Sequence, residues 1–224
     1  MSKKYELTDE TVRINSIILH RIKALTDFGD VDAGDLGGWV ESERNLSHDG
    51  NAWVYDNARV YGNARVYGDA LVSGNARVYG NAWVSGNARV YGNARVSGNA
   101  LVYGDALVYG NARVYGDALV SGNARVYGNA WVSGDARVYG NAWVSGNARV
   151  GSNGHLLQVG PIGSRNEYTT FFRAKDNAIA VVCGCFCGSI EDFEARVREI
   201  YGDSKYGEEY QLAIELAKCH IDLS

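Results

Sequence analysis

Asn51-Ala52-Trp53-Val54-Tyr55-Asp56-Asn57-Ala58-Arg59-Val60-Tyr61-Gly62 opens a run whose six-residue register continues unbroken to Asn147. It makes 17 hexads of the form Asn/Asp-Ala-x-Val-Tyr/Ser-Gly, ending at about Ser152. A short fixed period marks a solenoid, in which each unit buries its apolar face only against its neighbours. Alternate side chains of an extended chain point to opposite faces. In Asn75-Ala76-Arg77-Val78-Tyr79-Gly80, Ala76 and Val78 therefore share the inner face, and Arg77 and Tyr79 the outer one. Gly80 and Asn81, the residue types most tolerant of positive φ, make the corner. Each hexad reads as a four-residue strand and a corner. A Gly-Asn step at this period breaks any 3.6-residue stripe, which excludes a helix. A core of Ala and Val alone is thin and suits a narrow prism with three hexads per coil. At about 4.8 Å per coil the rod is roughly 25–30 Å long.

The spacing resembles the hexapeptide-repeat family, whose fold is a left-handed parallel β-helix of triangular section. The left hand is implied by that resemblance alone, because the general rule for parallel crossovers favours the right hand. The expected fold is mainly β: this solenoid, an N-terminal β cap (residues 1–50) and a small C-terminal α+β domain (153–224) around the rod (51–152). Solenoid ends expose unpaired strand edges, so flanking caps are expected on structural grounds.

In the cap, Tyr5-Glu6-Leu7 reads as a strand, Thr8-Asp9-Glu10 as a turn, and Ile17 to Leu25 as a longer strand. Asp27 to Gly38 reads as loops, and Asn45 to Gly50 as an opening half-coil of degenerate content. Gly34 to Ser47, running into Gly50-Asn51-Ala52-Trp53-Val54, is similar to the N-terminal part of bacteriophage and prophage proteins with Gly-Asn-Ala-Arg-Val-Tyr repeats. That resemblance covers roughly residues 4–150 and implies a lineage, with no activity attached. After the rod, residues 155–160, 167–173 and 178–185 read as strands. Ser189-Ile190-Glu191-Asp192 is a helix start. Phe193, Val197, Ile200 and Tyr201 form one apolar stripe. Tyr210, Ile214, Leu216 and Ala217 form a second, on a helix from about Lys205 to Ile221.

Charge is uneven. Residues 1–50 carry a balance of −4, the rod +4, and residues 153–224 −4. A basic rod between acidic ends argues against a negatively charged mimic of DNA and allows an anionic partner. Met1-Ser2-Lys3-Lys4-Tyr5 has no apolar run behind it, and no stretch approaches the length of a membrane span. Three of the four Cys sit as Cys183-Gly184-Cys185-Phe186-Cys187, a poor disulfide framework. The expectation is a reducing, cytoplasmic setting, that of the host cell if the protein is phage-encoded, with no membrane partner.

Stacking by 18 residues turns the outward positions into ladders. One side carries Arg59, Arg77, Arg95, Arg113, Trp131 and Arg149, with Tyr61, Tyr79 and Tyr115 beside them. Stacked Arg repel by about 1 kcal/mol per pair in bulk water, which a negative partner would relieve. The Arg and Tyr of this side are the candidate anion or partner surface, pairing phosphates or carboxylates and stacking on rings. The alternative is that Arg is the commonest filler of an expanded repeat, its stem packed on Tyr. The other two sides expose Trp53, Leu71, Trp83, Leu101, Leu119 and Trp143, an expected association surface for a dimer or trimer.

The resemblance also raises acyl transfer, with His as general base, and metal binding by three His. The 17 hexads contain no His: His48 precedes them and His155 follows, with His20 and His220 further out. No family site residue carries over, and no cofactor or metal is expected. Cys183, Cys185 and Cys187 would share one face of a strand, but one-residue spacing is not that of a zinc knuckle. Buried strand cysteines are the plainer reading. The resulting expectation is a non-catalytic, phage-type binding protein presenting a rigid solenoid surface to a host protein or anionic ligand, possible targets including a host defence process. The alternatives are an acyltransferase-like enzyme and a self-assembling scaffold.

Overall fold

The structure is a computed structural model describing residues 3–224, so the opening Met1-Ser2 lies outside the described residues. The strands numbered here are those outside the rod. They are β1 (Tyr5–Ile14), β2 (Ile17–Ala24) and β3 (Leu36–Val40) before it, and β4 (Leu156–Ile162), β5 (Glu167–Arg173), β6 (Ile179–Cys183) and β7 (Phe186–Ser189) after it. Two helices close the chain, α1 (Ile190–Tyr201) and α2 (Lys205–His220).

The rod is a β-solenoid. Each hexad contributes a strand of two residues ending on the inward Val, shorter than the four read from the pattern. The reason is that the fifth residue already starts the corner: Ala76 N–H donates to Ser73 O across Gly74-Asn75. Rungs 18 residues apart pair in parallel, so Arg95-Val96 lies between Arg77-Val78 and Arg113-Val114. Three sheets result, with six, six and five rod rungs, and the first sheet is extended by β1, β2 and β3. Every inward Ala and Val of the hexads is at most 1% exposed. Between coils the backbone ladder runs on into the corner, as in Ser97 N–H to Val114 O and Asn99 N–H to Gly116 O. Corner side chains add a polar ladder: Asn63 Nδ2 donates to Asn81 Oδ1, Asn81 to Asn99, and Asn99 to Asp117.

The cap grows from the first sheet. β3 pairs in parallel with the first rung of that sheet, Trp39 against Arg59 and Val40 against Val60, and its opening residues Leu36 to Gly38 stand where the end of the loop was expected. The expected turn at Thr8–Glu10 is instead an irregularity inside β1, between Leu7 and Thr11, and the chain reverses at Asn15 (φ 53). The half-coil follows: Leu46 bridges to Val66, and buried Asn45 donates from Nδ2 to Gly62 O and Ala64 O. Trp53 departs from the sequence reading. It is 1% exposed, with the rings of Tyr5 and Phe28 edge-on at 6.1 and 5.3 Å. An outward position at the first rung is thus an inward one once the cap folds over it, and Trp53 offers no association surface.

After the rod, β4–β7 form an antiparallel sheet that packs across the last coils. Phe172 and Val182 from one face join the rod core, while Phe171 and Val181 from the other meet Phe193, Tyr210 and Ile214 of the helices. Ser189 caps α1, its Oγ accepting from Asp192 N–H. Ile200 and Leu216, expected to face in, are 54% and 51% exposed, because a four-stranded sheet covers only a narrow stripe of each helix. The three clustered cysteines neither share a strand nor lie buried: Cys183 is half-buried, and Cys185 and Cys187 are exposed. Gly184 (φ 56) turns the chain between β6 and β7, leaving Cys183 beside Thr169 and Tyr210 and Cys187 beside Ser145 of the rod.

Candidate functional site

The first face holds the expected ladder in register: Trp39, Arg59, Arg77, Arg95, Arg113, Trp131, Arg149. Position three of the hexad puts each guanidinium outside, and the parallel register stacks them at one-rung spacing. None of the nine rod arginines is in a salt bridge among the described residues; the ion pairs lie in the cap and on the helices. The corners flanking this face explain why: their two early carboxylates, Asp56 and Glu41, accept from Gly74 N–H and Gly62 N–H, and the rest is mostly Asn. One carries Asn57, Asn75, Asn93, Asn111, Asn129 and Asn147, and the other Asn63, Asn81 and Asn99 before Asp117 and Asp135 appear. Beside the ladder the Tyr61 and Tyr79 rings stack at 5.1 Å and 3°, and burial pushes the Tyr61 phenol above its ordinary value. Tyr115 meets Trp131 edge-on at 6.4 Å.

The ladder ends in a cavity of about 350 Å³ where the C-terminal sheet meets the rod. Arg149, His155, Arg173 and Lys175 line it with Trp131 and Tyr115. Arg113 and Arg149 cover Trp131, at 4.9 and 4.2 Å from its centroid. Arg149 is fixed by donation to Asn129 O and Ala148 O. Asn177 Oδ1 accepts from Nε and Nη2 of Arg173, and Ser224 O accepts from its Nη1, which fixes the guanidinium in the cavity wall. His155 Nδ1 lies 2.9 Å from Gly151 N, and Nε2 lies 3.1 Å from Arg173 Nη1. A neutral imidazole has one acceptor nitrogen, so it serves one of these donors at a time. Burial, then the Arg173 charge, holds His155 below its ordinary value. Arg173, Lys175 and His155 were not among the residues picked from the sequence for this surface. Only docking of the last sheet brings them to the ladder's end.

The other candidates separate. Leu71 is half-buried against the core, Leu101 and Leu119 are half-buried neighbours on the third face, and Trp83 there is 43% exposed. Trp143 is half-buried, its N–H bonded to Thr170 Oγ1 of β5 and its ring under Arg125. The C-terminal sheet therefore occupies part of the surface expected to be free at Trp143. His48 stacks on Tyr5 at 4.3 Å and accepts at Nδ1 from Lys4 N–H. Among the described residues no helix is long and apolar enough to cross a membrane.

A family model described as "YdcK Beta solenoid repeat" matches in overlapping copies from residues 52–68 to 136–152. The chain is also similar to the Escherichia coli (strain K12) protein named "Uncharacterized acetyltransferase YdcK", 37% identical over 62 residues. That match takes in 24% of this chain and spans 19% of the relative's length. The rod, residues 52–152, is thus similar to the YdcK β-solenoid repeat over a little under half of the chain, and with its parallel six-residue rungs it is a solenoid of the hexapeptide-repeat β-helix kind.

Proposed function

We propose that this is a non-catalytic binding protein whose rod holds an anionic partner along its first face. One observation carries the reading. Arg59, Arg77, Arg95 and Arg113 stand in register without a carboxylate partner and run into the cavity of Arg149, Arg173 and Lys175. Arginine pairs planar oxyanions bidentately, and the paired backbone holds their attachment points at a fixed one-rung spacing. The partner is an anionic ligand or the acidic face of a host protein, and the bacteriophage-like N-terminal segment favours the latter. A titration of polyphosphate against wild type and the triple variant R77Q/R95Q/R113Q tests this. The variant should fold, bind at least about tenfold more weakly and show a shallower salt dependence. Unchanged binding makes the ladder mere filler.

Acyl transfer is the second reading, favoured by the relative's name. It would need His48 or His155 as base, and each has a ring nitrogen already facing a backbone N–H. Micromolar binding of an acyl-CoA donor, lost on His48 or His155 substitution, would establish it.

A further inference from the structure

A second cleft lies away from the ladder, between the rod's second face and the C-terminal sheet. Its floor is Arg125 and Trp143 on successive rungs, and its far wall is two hairpin turns, Arg165-Asn166 after β4 and Gly184-Cys185 after β6. It encloses about 720 Å³, the size of a small-molecule site and far larger than a bare phosphate needs.

The lining specifies the chemistry. The Arg125 guanidinium lies 4.7 Å from the Trp143 centroid, so stacking holds its plane and leaves its in-plane N–H groups for an oxyanion. Among the described residues neither Arg125 nor Arg165 is in a salt bridge. Asn123 Nδ2 donates to Asn141 Oδ1 at 3.1 Å, which leaves the Asn141 amide N–H groups to donate into the cleft. Tyr168 presents an exposed ring, and Thr170 Oγ1 fixes the floor by accepting from Trp143 N–H. Glu167 stands in the same lining. Its carboxylate disfavours a polyanion and accepts an N–H or O–H from an uncharged ring, which sets this cleft apart from the ladder.

We infer that the cleft binds a small ring compound bearing a single phosphate or carboxylate. The oxyanion pairs with Arg125 and Arg165, the ring lies against Tyr168, and a ring N–H or O–H donates to Glu167. The test is calorimetric titration of the full chain with AMP for the phosphate arm and indole-3-acetate for the carboxylate arm, with inorganic phosphate alongside. At least one ring probe should saturate, bind more tightly than inorganic phosphate and weaken about tenfold in R125Q and in R165Q. Should R125Q fail to fold, R165Q, on an exposed turn, carries the test alone. Polyphosphate titrated against R165Q should be unaffected. Failure of both ring probes to bind at millimolar concentration, parity with inorganic phosphate, or equal loss of polyphosphate binding overturns the inference. Only the polyphosphate control presupposes that the ladder binds; the ring-probe results stand without it.

Discussion

The Arg149 guanidinium sits 4.2 Å from the centroid of Trp131, one rung earlier on the same face. Arg113 covers the same ring from the preceding rung, so the one aromatic interruption of the ladder spaces two cations without breaking the row. Trp131→Ala should therefore leave the rod folded, because the side chain is outside the Ala/Val core. It should weaken polyphosphate binding about three- to tenfold by freeing Arg113 and uncovering Arg149, which keeps its bonds to Asn129 O and Ala148 O. Fluorescence titration of the variant decides this; an unchanged affinity means that Trp131 organises nothing.

The corners should differ sharply in their tolerance of a side chain. A Cβ on Gly98 (φ 69) would lie 2.8 Å from Gly116 N, whereas one on Gly146 (φ 60) meets nothing within 4 Å. Both Ala substitutions carry the left-handed backbone cost of about 1–2 kcal/mol. Gly98→Ala must also push two coils apart. Urea unfolding should rank Gly98→Ala clearly below Gly146→Ala in stability, and equal losses would mean that the coils are not in backbone contact at the corners.

Asn45 occupies the first position of a hexad, yet its side chain is buried and bridges Gly62 O and Ala64 O at 3.0 and 2.9 Å. It thereby closes the open end of the third face. Asn45→Ala leaves the buried Ala64 O and the partly buried Gly62 O without that donor and should cost about 1–3 kcal/mol. Chemical denaturation monitored by tryptophan emission, which reports on buried Trp53, is the measurement; a loss below experimental error would remove Asn45 from the cap's anchoring.

Lys4 gives the cap a pH dependence. Its Nζ donates to Gly50 O and Ala52 O, and burial lowers it from 10.5 to about 8, partly opposed by the Asp49 and Asp69 charges. The unfolded chain keeps this proton up to about 10.5 while the folded chain releases it above about 8, so stability rises with pH across that window. The gain is lost again as pH falls through about 8. Tyr5 acts in the opposite sense: burial pushes its phenol above 10.0, so its contribution fades only as pH climbs beyond that value. Melting curves from pH 8 to 10 should rise in wild type and flatten in Lys4→Met. Parallel curves would sink the assignment.

Much of this architecture can be read from the hexad. Ala and Val two residues apart face one way in any extended chain, and all of them are inside. Stacking by 18 also places Arg59 to Arg113 correctly on one face, since register follows from period alone. What the repeat cannot announce is where non-repetitive chain lands on it. Trp53 has the same pattern position as Trp83, yet one is covered by Phe28 and Tyr5 and the other is open. Arg173 and Lys175 reach the ladder only because Phe172 and Val182 drive a sheet onto the last coils. Gly184, between two cysteines, was the local signal for a hairpin that the alternating apolar run obscured.

The pairing interval of 18 residues has a counting consequence. Gain or loss of three hexads lengthens or shortens the rod and returns the C-terminal sheet to the same side. Gain or loss of a single hexad carries that sheet round to the next side of the prism, parting Arg173 and Lys175 from the arginine row. Tandem-repeat slippage upstream of Tyr115 in such a gene thus acts as a rotary dial as well as a ruler, and only every third click keeps the composite pocket in line with the arginine row.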